Sequence, residues 1–223
     1  MTRSTSSRTR LSPDERRAQL LDLGVRLLAT RSVDELSIDL LAEEAGISRG
    51  LLYHYFGNKH AFHEAVVRRA ADDLIEQTAP PTVGDPIERL LLSMTAYLDY
   101  VVANHEGYLS LVKGAAGGNE TLREIYEEAR STLTDRIFRE DAQGQLVPDT
   151  PASRLMVRAW AAMNEQLVLA WIEHPAGISR DDLVAMMAGS LPALVGVLPP
   201  TAPSTAPSTA PSTGSHSTPA ERS

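Results

Sequence analysis

Apolar residues recur at intervals of three or four along most of this chain, which is the spacing of one face of an α-helix. In the first such segment Leu20, Leu23 and Leu27 are apolar, and Ser12 and Glu15 upstream form a pair that caps a helix start. No segment alternates apolar and polar residues convincingly, as a half-buried strand does. We therefore predict an all-α protein of about nine helices, at about 13–30, 37–45, 48–56, 59–78, 86–103, 106–114, 120–142, 151–174 and 180–197.

Proline-rich segments divide this helical region and mark its end. Residues 79–86 carry three prolines and separate an N-terminal unit, 12–78, from a C-terminal unit, 83–198. Residues 199–223 contain a repeated TAPS sequence whose prolines disfavour helix and sheet, so we expect a disordered tail there. Residues 1–11 hold three arginines and are expected to form a flexible basic arm.

The composition excludes several classes of protein. No cysteine is present, which excludes disulfide scaffolds, thiolate zinc sites and cysteine nucleophiles. Hydrophobic residues make up 43% of the 223 residues, enough to bury a core. The longest nearly apolar run, 183–198, is shorter than the ~20 residues that a bilayer requires, and no secretory signal pattern is visible. We expect a cytoplasmic protein with no membrane contact, cofactor or metal.

The net charge of −8 is distributed unevenly along the chain. Residues 1–70 carry a net charge of +2, whereas residues 71–198 carry −10. A basic head on an acidic body indicates that only the head contacts a polyanion. A net charge of +2 is by itself weak evidence for binding a polyanion. The positions of the basic residues within the head must therefore decide whether it binds one.

The two short helices at 37–45 and 48–56 are predicted to form a helix-turn-helix, since Gly46 permits the tight turn between them. In the second helix, the 3.6-residue period places residues 49, 50, 53 and 54 within an arc of about 140°. This arc is polar, basic and aromatic, and the opposite side of the helix is apolar. Such a surface at the first half of a helix suits the major groove of DNA.

At these residues the sequence resembles the tetracycline-repressor (TetR) family of transcriptional regulators. The resemblance is carried by residues 41–59, which read LAEEAGISRGLLYHYFGNK, and it extends over about residues 12–70. Further along the chain, only the number, length and order of the helices support the match. The resemblance implies an N-terminal helix-turn-helix domain of three helices, a linking fourth helix, and a C-terminal helical domain for ligand binding and dimerisation.

The resemblance also implies roles for individual residues. Positions that usually hold DNA phosphates match Ser37, Ser48, Tyr53 and Lys59. Positions close to base edges match Arg49, Gly50, Leu51 and His54. An arginine can pair with a guanine in a bidentate manner, glycine permits close approach, and leucine touches only a thymine methyl group or packs internally. Taken singly, Tyr53 and Lys59 are as consistent with packing and a solvated charge as with DNA contact. The basic arm either enters a minor groove or serves as a solubilising tail.

Two other motifs are typical of a hydrolase and of a metal site, and the sequence around each makes that function unfavourable. Gly46, Ser48 and Gly50 match the G-x-S-x-G pattern of hydrolases, but that pattern requires a strand before the serine, and here a helix is predicted. His60 and His63 lie three apart on a helix without further ligands at metal-site spacing, so surface or packing roles are favoured. We expect no enzyme activity.

The body is expected to hold an effector and to form a homodimer. In the TetR family the last two long helices pack against their symmetry mates, and the predicted last helix here is apolar almost all round. An effector cavity is implied between the middle helices, although an apolar stripe is more often core than cavity. No titratable group specifies a charged effector. The candidate lining residues are Met94, Tyr97, Leu98, Val101, Tyr108, Leu111, Val112, Tyr126, Trp160, Met163, Asn164 and Gln166.

These observations lead to one principal hypothesis and one alternative. The principal hypothesis is a dimeric repressor that leaves a palindromic operator when a small, largely apolar effector binds the body. The alternative is a ligand-independent DNA-binding or architectural protein. A cavity of about 300 Å³ or more in the body would favour the first, and a filled core would favour the second.

Overall fold

The computed structural model describes residues 12–141 and 143–198, and within them the chain forms nine α-helices and no strand, as the sequence predicts. The predicted basic arm, 1–11, and the predicted tail, 199–223, lie outside the described residues. None of the described helices combines the length and apolar character needed to cross a bilayer. The helices are α1 (Pro13–Leu28), α2 (Ile38–Ala45), α3 (Arg49–Phe56), α4 (Lys59–Gln77), α5 (Pro86–Ala103), α6 (His105–Ala116), α7 (Glu120–Glu140), α8 (Pro151–Glu173) and α9 (Arg180–Val195).

Side-chain caps explain where these helices begin. The Ser12 hydroxyl accepts a hydrogen bond from the Glu15 amide at 3.2 Å, and the Glu15 carboxylate accepts one from the Ser12 amide at 2.7 Å. Asp85 and Thr150 cap α5 and α8 in the same position, each followed by a proline at the first helical residue. These caps satisfy amide groups that have no partner within the helix, so the helix starts are encoded locally.

Helices α1 to α4 form the head, which has its own apolar core. Leu20, Leu36, Leu41, Leu52 and Phe62 are almost completely buried in it, and each of α1 to α4 contributes at least one of them. The burial of such side chains stabilises a domain by about 1.5–3 kcal/mol each, so five of them account for much of the folding of so small a unit.

Helices α5, α8 and α9 form the core of the body. Leu98 and Val101 of α5 are fully buried against Val168 of α8 and against Leu183 and Met187 of α9. A neighbouring cluster contains Trp160, whose indole N–H donates to the Met187 carbonyl at 3.2 Å and to the Ser190 hydroxyl at 2.9 Å. The buried Trp160 N–H therefore has hydrogen-bond partners that replace the water it loses on burial.

The head core continues into the body without interruption. Leu122, Ile125 and Ala129 of α7 are buried in the same cluster as Val66 and Ala71 of α4. The proline-rich segment is thus a break along the chain but not a break in packing. A displacement of α7 therefore acts on α4 through direct contact.

Helix α6 approaches α1 so closely that only glycine fits at their crossing. A Cβ atom on Gly107 would lie 2.8 Å from the Leu28 carbonyl oxygen and 2.9 Å from the Leu28 Cβ. Distances this short are not tolerated between non-bonded heavy atoms, and the nearest atom belongs to the backbone, which moves less readily than a side-chain tip.

We predict that Gly107→Ala lowers the free energy of unfolding by about 1–3 kcal/mol, because α1 and α6 must separate to accommodate the methyl group. Thermal and urea unfolding measure the effect. The control is Gly50→Ala, where the nearest neighbouring atom is 4.0 Å away and helix propensity favours alanine by up to about 1 kcal/mol. Equal unfolding midpoints for the Gly107→Ala variant and the parent would contradict the packing described here.

Candidate nucleic-acid interface and interior cavity

Side-chain hydrogen bonds fix the starts of α2 and α3, and a glycine forms the turn between the two helices. The Ser37 hydroxyl accepts from the Leu40 amide at 3.0 Å, and the Ser48 hydroxyl accepts from the Leu51 amide at 3.3 Å. Gly46 ends α2 in the left-handed conformation with φ of 64°, which residues other than glycine rarely adopt. Both helices are only eight residues long, so these end contacts determine where they begin and end.

The inner side of α3 is anchored in the head core. Leu52 and Phe56 are buried there, and Ile47 and Tyr55 pack partly buried against the same cluster. The Phe56 and Phe62 rings meet edge to face with their centroids 5.1 Å apart. This packing fixes the rotation of α3 about its axis, so the opposite arc faces away from the protein.

Most of the residues proposed to contact DNA lie on that outer arc or at the two helix starts beside it. Tyr53 keeps 48% of its surface exposed. Leu51 and Ser37 are half-buried, so Leu51 offers the least surface of the residues proposed to lie near bases. The exposed members of the set are Ser48, Arg49, Gly50, Tyr53, His54 and Lys59.

The polar groups of this arc have hydrogen-bonding capacity left for a ligand. Arg49 forms an ion pair with Asp39 of α2, and both side chains are largely exposed. Exposed ion pairs contribute at most about 1 kcal/mol, so Arg49 can exchange this partner at small cost. A serine hydroxyl that accepts from an amide still has its own hydrogen to donate, which holds for Ser37 and Ser48.

The residues of the two alternative motifs have structural roles. The Ser48 hydroxyl caps α3, and α2 precedes it where a hydrolase motif requires a strand. His63 is half-buried and its Nε2 contacts the Leu36 carbonyl oxygen, while His60 lies 3.4 Å from the Thr121 hydroxyl. No group of three or more histidine, aspartate or glutamate side chains in the described part of the chain is placed to hold a metal ion.

An interior cavity of about 170 Å³ lies between the head and the body. Helices α4 to α8 all contribute to its wall, and α1 contributes Val25 and Leu28. Its wall is mostly apolar. The volume is below the roughly 300 Å³ of an ordinary ligand pocket, yet it is comparable to cavities that hold a small apolar ring. The body is therefore neither a filled core nor a wide pocket.

Seven of the twelve predicted effector residues line this cavity and five do not. Those in the wall are Met94, Tyr97, Tyr108, Leu111, Tyr126, Trp160 and Asn164. Those elsewhere are Leu98, Val101, Val112, Met163 and Gln166.

The five predicted residues that do not line the cavity lie on other faces of the same helices. Leu98 and Val101 are fully buried in the core formed with α9, and Val112 packs against that cluster. Met163 and Gln166 are exposed on the outer face of α8. Helical spacing identifies an apolar stripe but not the neighbour that the stripe faces, so the sequence pattern alone could not distinguish these five residues from those that line the cavity.

A hydrogen-bonded group of polar side chains lines one part of the cavity. Glu165, only 9% exposed, accepts from the Tyr108 hydroxyl at 3.2 Å and from the Tyr126 hydroxyl at 3.0 Å. The Tyr97 hydroxyl lies 2.9 Å from that of Tyr108, and the Arg130 guanidinium donates to the Tyr126 oxygen at 2.9 Å. We call these five residues the cavity network.

Burial and the Glu165 carboxylate hold the tyrosines of the network in their neutral form. Burial and the nearby Glu165 carboxylate together raise the pKa of Tyr126 to about 12. The pKa values of Tyr97 and Tyr108 are also raised, first by burial. The three phenols therefore remain hydrogen-bond donors throughout the physiological pH range.

Glu165 and Arg130 were not among the lining residues predicted from the sequence, which indicated no titratable group that specifies a charged effector. The network draws on α5, α6, α7 and α8, so no short spacing in the sequence contains it. A weaker signal was available, because Glu165 is the acidic member of a short polar segment, Asn164 to Gln166, with apolar residues on both sides of it in α8. A lone acidic residue on an inward helix face usually has a buried partner.

The end of α4 is held by side chains that also line the cavity. Arg136 of α7 donates to the carbonyl oxygens of Ile75 at 2.6 Å and of Thr78 at 2.8 Å. The Ser93 hydroxyl of α5 donates to the same Thr78 carbonyl at 2.6 Å. Burial lowers the pKa of Arg136, but the guanidinium stays charged and complements the negative end of the α4 dipole.

Comparison with known families agrees with both parts of this geometry. Residues 20–66 match the family described as bacterial regulatory proteins, tetR family, and residues 86–193 match a tetracyclin repressor-like C-terminal domain. The curated relatives are transcriptional regulators. One, the HTH-type transcriptional activator FasR of Mycolicibacterium smegmatis, is 24% identical over 78% of this chain and 80% of its own length.

Solved structures of the same architecture also match. A tetR-family transcriptional regulator from Streptomyces coelicolor is 34% identical, with 84% of this chain and 83% of that chain covered and a TM-score of 0.74. The transcriptional regulator FadR from Bacillus subtilis, solved in complex with stearoyl-CoA, is 21% identical. It has a TM-score of 0.57 over 81% of this chain and 98% of that chain, and this likeness concerns the fold.

The position of His63 generates a prediction on pH. Burial lowers the pKa of His63 below its ordinary value of 6.5, so the folded head favours the neutral ring. The unfolded chain then binds the proton more readily, and the stability present above pH 6.5 is lost as the pH falls through 6.5 towards the folded-state pKa. We predict a smaller loss of melting temperature between pH 7.5 and 5.5 for His63→Gln, which keeps a donor for Leu36, than for the parent. An equal loss in both proteins would contradict this assignment.

Proposed function

Because this chain belongs to the TetR family of bacterial transcriptional regulators, we propose that it is a dimeric repressor that binds a palindromic operator in the cytoplasm. The observation that carries the proposal is the exposed arc of α3, held outward by the packing of Leu52 and Phe56. TetR-family regulators bind DNA through their helix-turn-helix and are not enzymes. The choice of repressor rests on the family resemblance, since one relative, FasR, is named an activator.

The arc divides into groups that suit bases and groups that suit phosphates. Arg49 at the start of α3 matches the bidentate acceptor edge of guanine, and His54 lies nearer the end of the same helix. Exposed Gly50 lets the backbone approach the groove closely. Ser48 and Lys59, at the starts of α3 and α4, suit phosphate oxygens, because helix N-termini carry partial positive charge.

A second copy of the chain is proposed to pack on the outer faces of α8 and α9. Both helices expose apolar and small residues along one stripe, a composition that is unusual for a surface in water. Leu155 is 72% exposed and Met186 is 47% exposed. The other members are Ala152, Ala159, Met163, Ala185, Gly189 and Ala193. Dimerisation through this stripe supports a palindromic operator, in which two recognition helices enter major grooves about 34–36 Å apart.

The cavity is proposed to couple an effector to the head through α4. Val67, Ala71 and Leu74 of α4 form part of the cavity wall, and Arg136 holds the end of that helix. An effector that favours a different position of α4 would move the heads out of register with successive grooves. A coupling free energy of about 1–3 kcal/mol would weaken operator binding roughly 5- to 150-fold.

The alternative, a DNA-binding protein without an effector, is favoured by one observation, the small volume of the cavity. Two features support the effector over this alternative. The cavity contacts both the head and the body, and its wall carries buried polar side chains that a filled structural core would not require.

We predict that the double variant Arg49→Ala, Tyr53→Ala binds its operator about 100-fold or more weakly, because a base contact and a phosphate contact are lost together. The operator is first selected from genomic DNA, and affinity is then measured by fluorescence anisotropy over a range of salt concentrations. The parent should lose affinity steeply with salt, since phosphate contacts release counterions.

The matched control for this experiment is Arg123→Ala, which removes an exposed arginine from α7 in the body. It should leave operator affinity and its salt dependence unchanged. Circular dichroism and sedimentation should show the double variant folded and dimeric. Unaltered operator affinity in the double variant would refute the assignment of the α3 arc to DNA.

For the dimer, we predict that Leu155→Asp combined with Met186→Asp converts the protein to monomers, because two charges per subunit would be buried without partners. Analytical ultracentrifugation measures the change, and operator affinity should fall with it. Val102→Asp is the control, since Val102 is 50% exposed and lies on α5, which does not contribute to the proposed interface. A dimer that survives the double substitution would place the interface elsewhere.

A further inference from the structure

One buried side chain in the cavity wall has no hydrogen-bond partner in the protein. Asn164 is 3% exposed, and neither its amide nitrogen nor its amide oxygen reaches another protein group. The Nε–H of Arg130, also in the wall, is buried and has no partner either. A buried amide without partners destabilises the folded protein, so its presence beside a cavity indicates a ligand that satisfies it.

The Asn164 amide and the Arg130 Nε–H are the donors that remain available once the hydrogen bonds of the cavity network are counted. Tyr108 and Tyr126 both donate their hydroxyl hydrogens to Glu165. Because Tyr108 has only one hydrogen, Tyr97 must donate to the Tyr108 oxygen in turn. All three phenolic hydrogens are thus committed, and the donors still available in this part of the wall are the Asn164 amide and the Arg130 Nε–H.

The charges in the network already balance. Glu165 contributes a negative charge and Arg130 a positive one, and Tyr126 joins them by accepting from Arg130 and donating to Glu165.

The other charged side chains of the wall are also engaged within the protein. Arg89 pairs with Glu140. Arg136 donates to backbone carbonyl oxygens at the end of α4, and Asp141 accepts from backbone amides. An additional net charge in this mostly apolar cavity would therefore be desolvated without a free counter-ion. The cavity therefore favours a ligand without net charge.

Building on the effector role proposed above, we propose that this cavity selects an uncharged amphiphile with a primary or secondary amide group. The ligand carbonyl oxygen accepts from the Asn164 Nδ2, with the Arg130 Nε as a second donor. The ligand N–H donates to the Asn164 Oδ1. The rest of the molecule is a short apolar chain that occupies the space lined by Met94, Leu133 and Ile137.

Three probes of equal chain length separate this proposal from its charged alternatives. Octanamide is neutral, octanoate carries the negative charge that Arg130 would attract, and octylammonium carries the positive charge that Glu165 would attract. Isothermal titration calorimetry on the full-length dimer at pH 7 should give octanamide an affinity at least about tenfold higher than either ion. Tighter binding of either ion, or binding of none of the three probes, overturns the proposal.

Substitutions in the cavity wall test whether Asn164 causes the preference for octanamide. Asn164→Leu should weaken octanamide about tenfold or more while changing octanoate little. The matched control is Gln166→Leu, which removes an amide from the exposed face of the same helix and should leave all three affinities unchanged. An unchanged octanamide affinity in Asn164→Leu means that water alone satisfies Asn164, and the proposal is then wrong.

A second variant tests the charge balance and does not depend on the folding of Asn164→Leu. Glu165→Gln leaves Arg130 without its compensating charge, so octanoate should become the tightest binder of the three. Retention of the octanamide preference in Glu165→Gln would overturn the argument from charge balance.

Measuring operator affinity in the presence of each probe distinguishes failure of the proposed ligand class from failure of the proposed effector control. If octanamide binds with the expected selectivity but leaves operator affinity unchanged, the ligand class stands and effector control of DNA binding fails. If DNA is released by a different compound while octanamide shows no preference, effector control stands and the ligand class proposed here fails.

Discussion

Helix α4 packs against helices of the head and of the body at once, and the relation between the head and the body depends on that double packing. Its Val66 and Ala71 are buried in a cluster that also contains α1 and α7 residues, and its last carbonyl groups accept from Arg136 and Ser93. Close-packed interiors respond to a ligand by shifting between discrete arrangements rather than by continuous deformation. A change in the cavity wall that displaces α4 would therefore reach the head through the contacts along this helix.

The same double packing explains why the cavity lies where it does. Side chains of α1 and α4 meet those of α5 to α8 at a junction of six helices, and Gly107 allows α6 to approach α1 closely. The polar groups at this junction are costly to bury, and the cavity network satisfies most of them within the protein. The amide of Asn164 is the clearest exception among the described residues of the wall, and it gives the junction a chemical preference as well as a shape.

Features encoded over short stretches were predictable from the sequence. Nine helices and their approximate limits followed from 3.6-residue spacing, capping serines and glycine stops, and the structure bears them out. The family was recognisable from residues 41–59, because a helix-turn-helix is specified by near neighbours. The outward position of Arg49, Tyr53 and His54 followed from the same period, although their role in binding DNA stays a prediction.

The effector region shows what local patterns leave undecided. Leu98 and Met94 share α5 and an apolar pattern, yet one is buried in the α9 core and the other lines the cavity. Glu165 and Arg130 lie 35 positions apart and meet through Tyr126 only when α7 packs on α8. The sequence by itself determined the helices, the turn and the arc of α3, because hydrogen bonds and helical period act between near neighbours. Only the tertiary structure decided which apolar faces enclose space and which charges become partners, because those depend on how separate helices are rotated against one another.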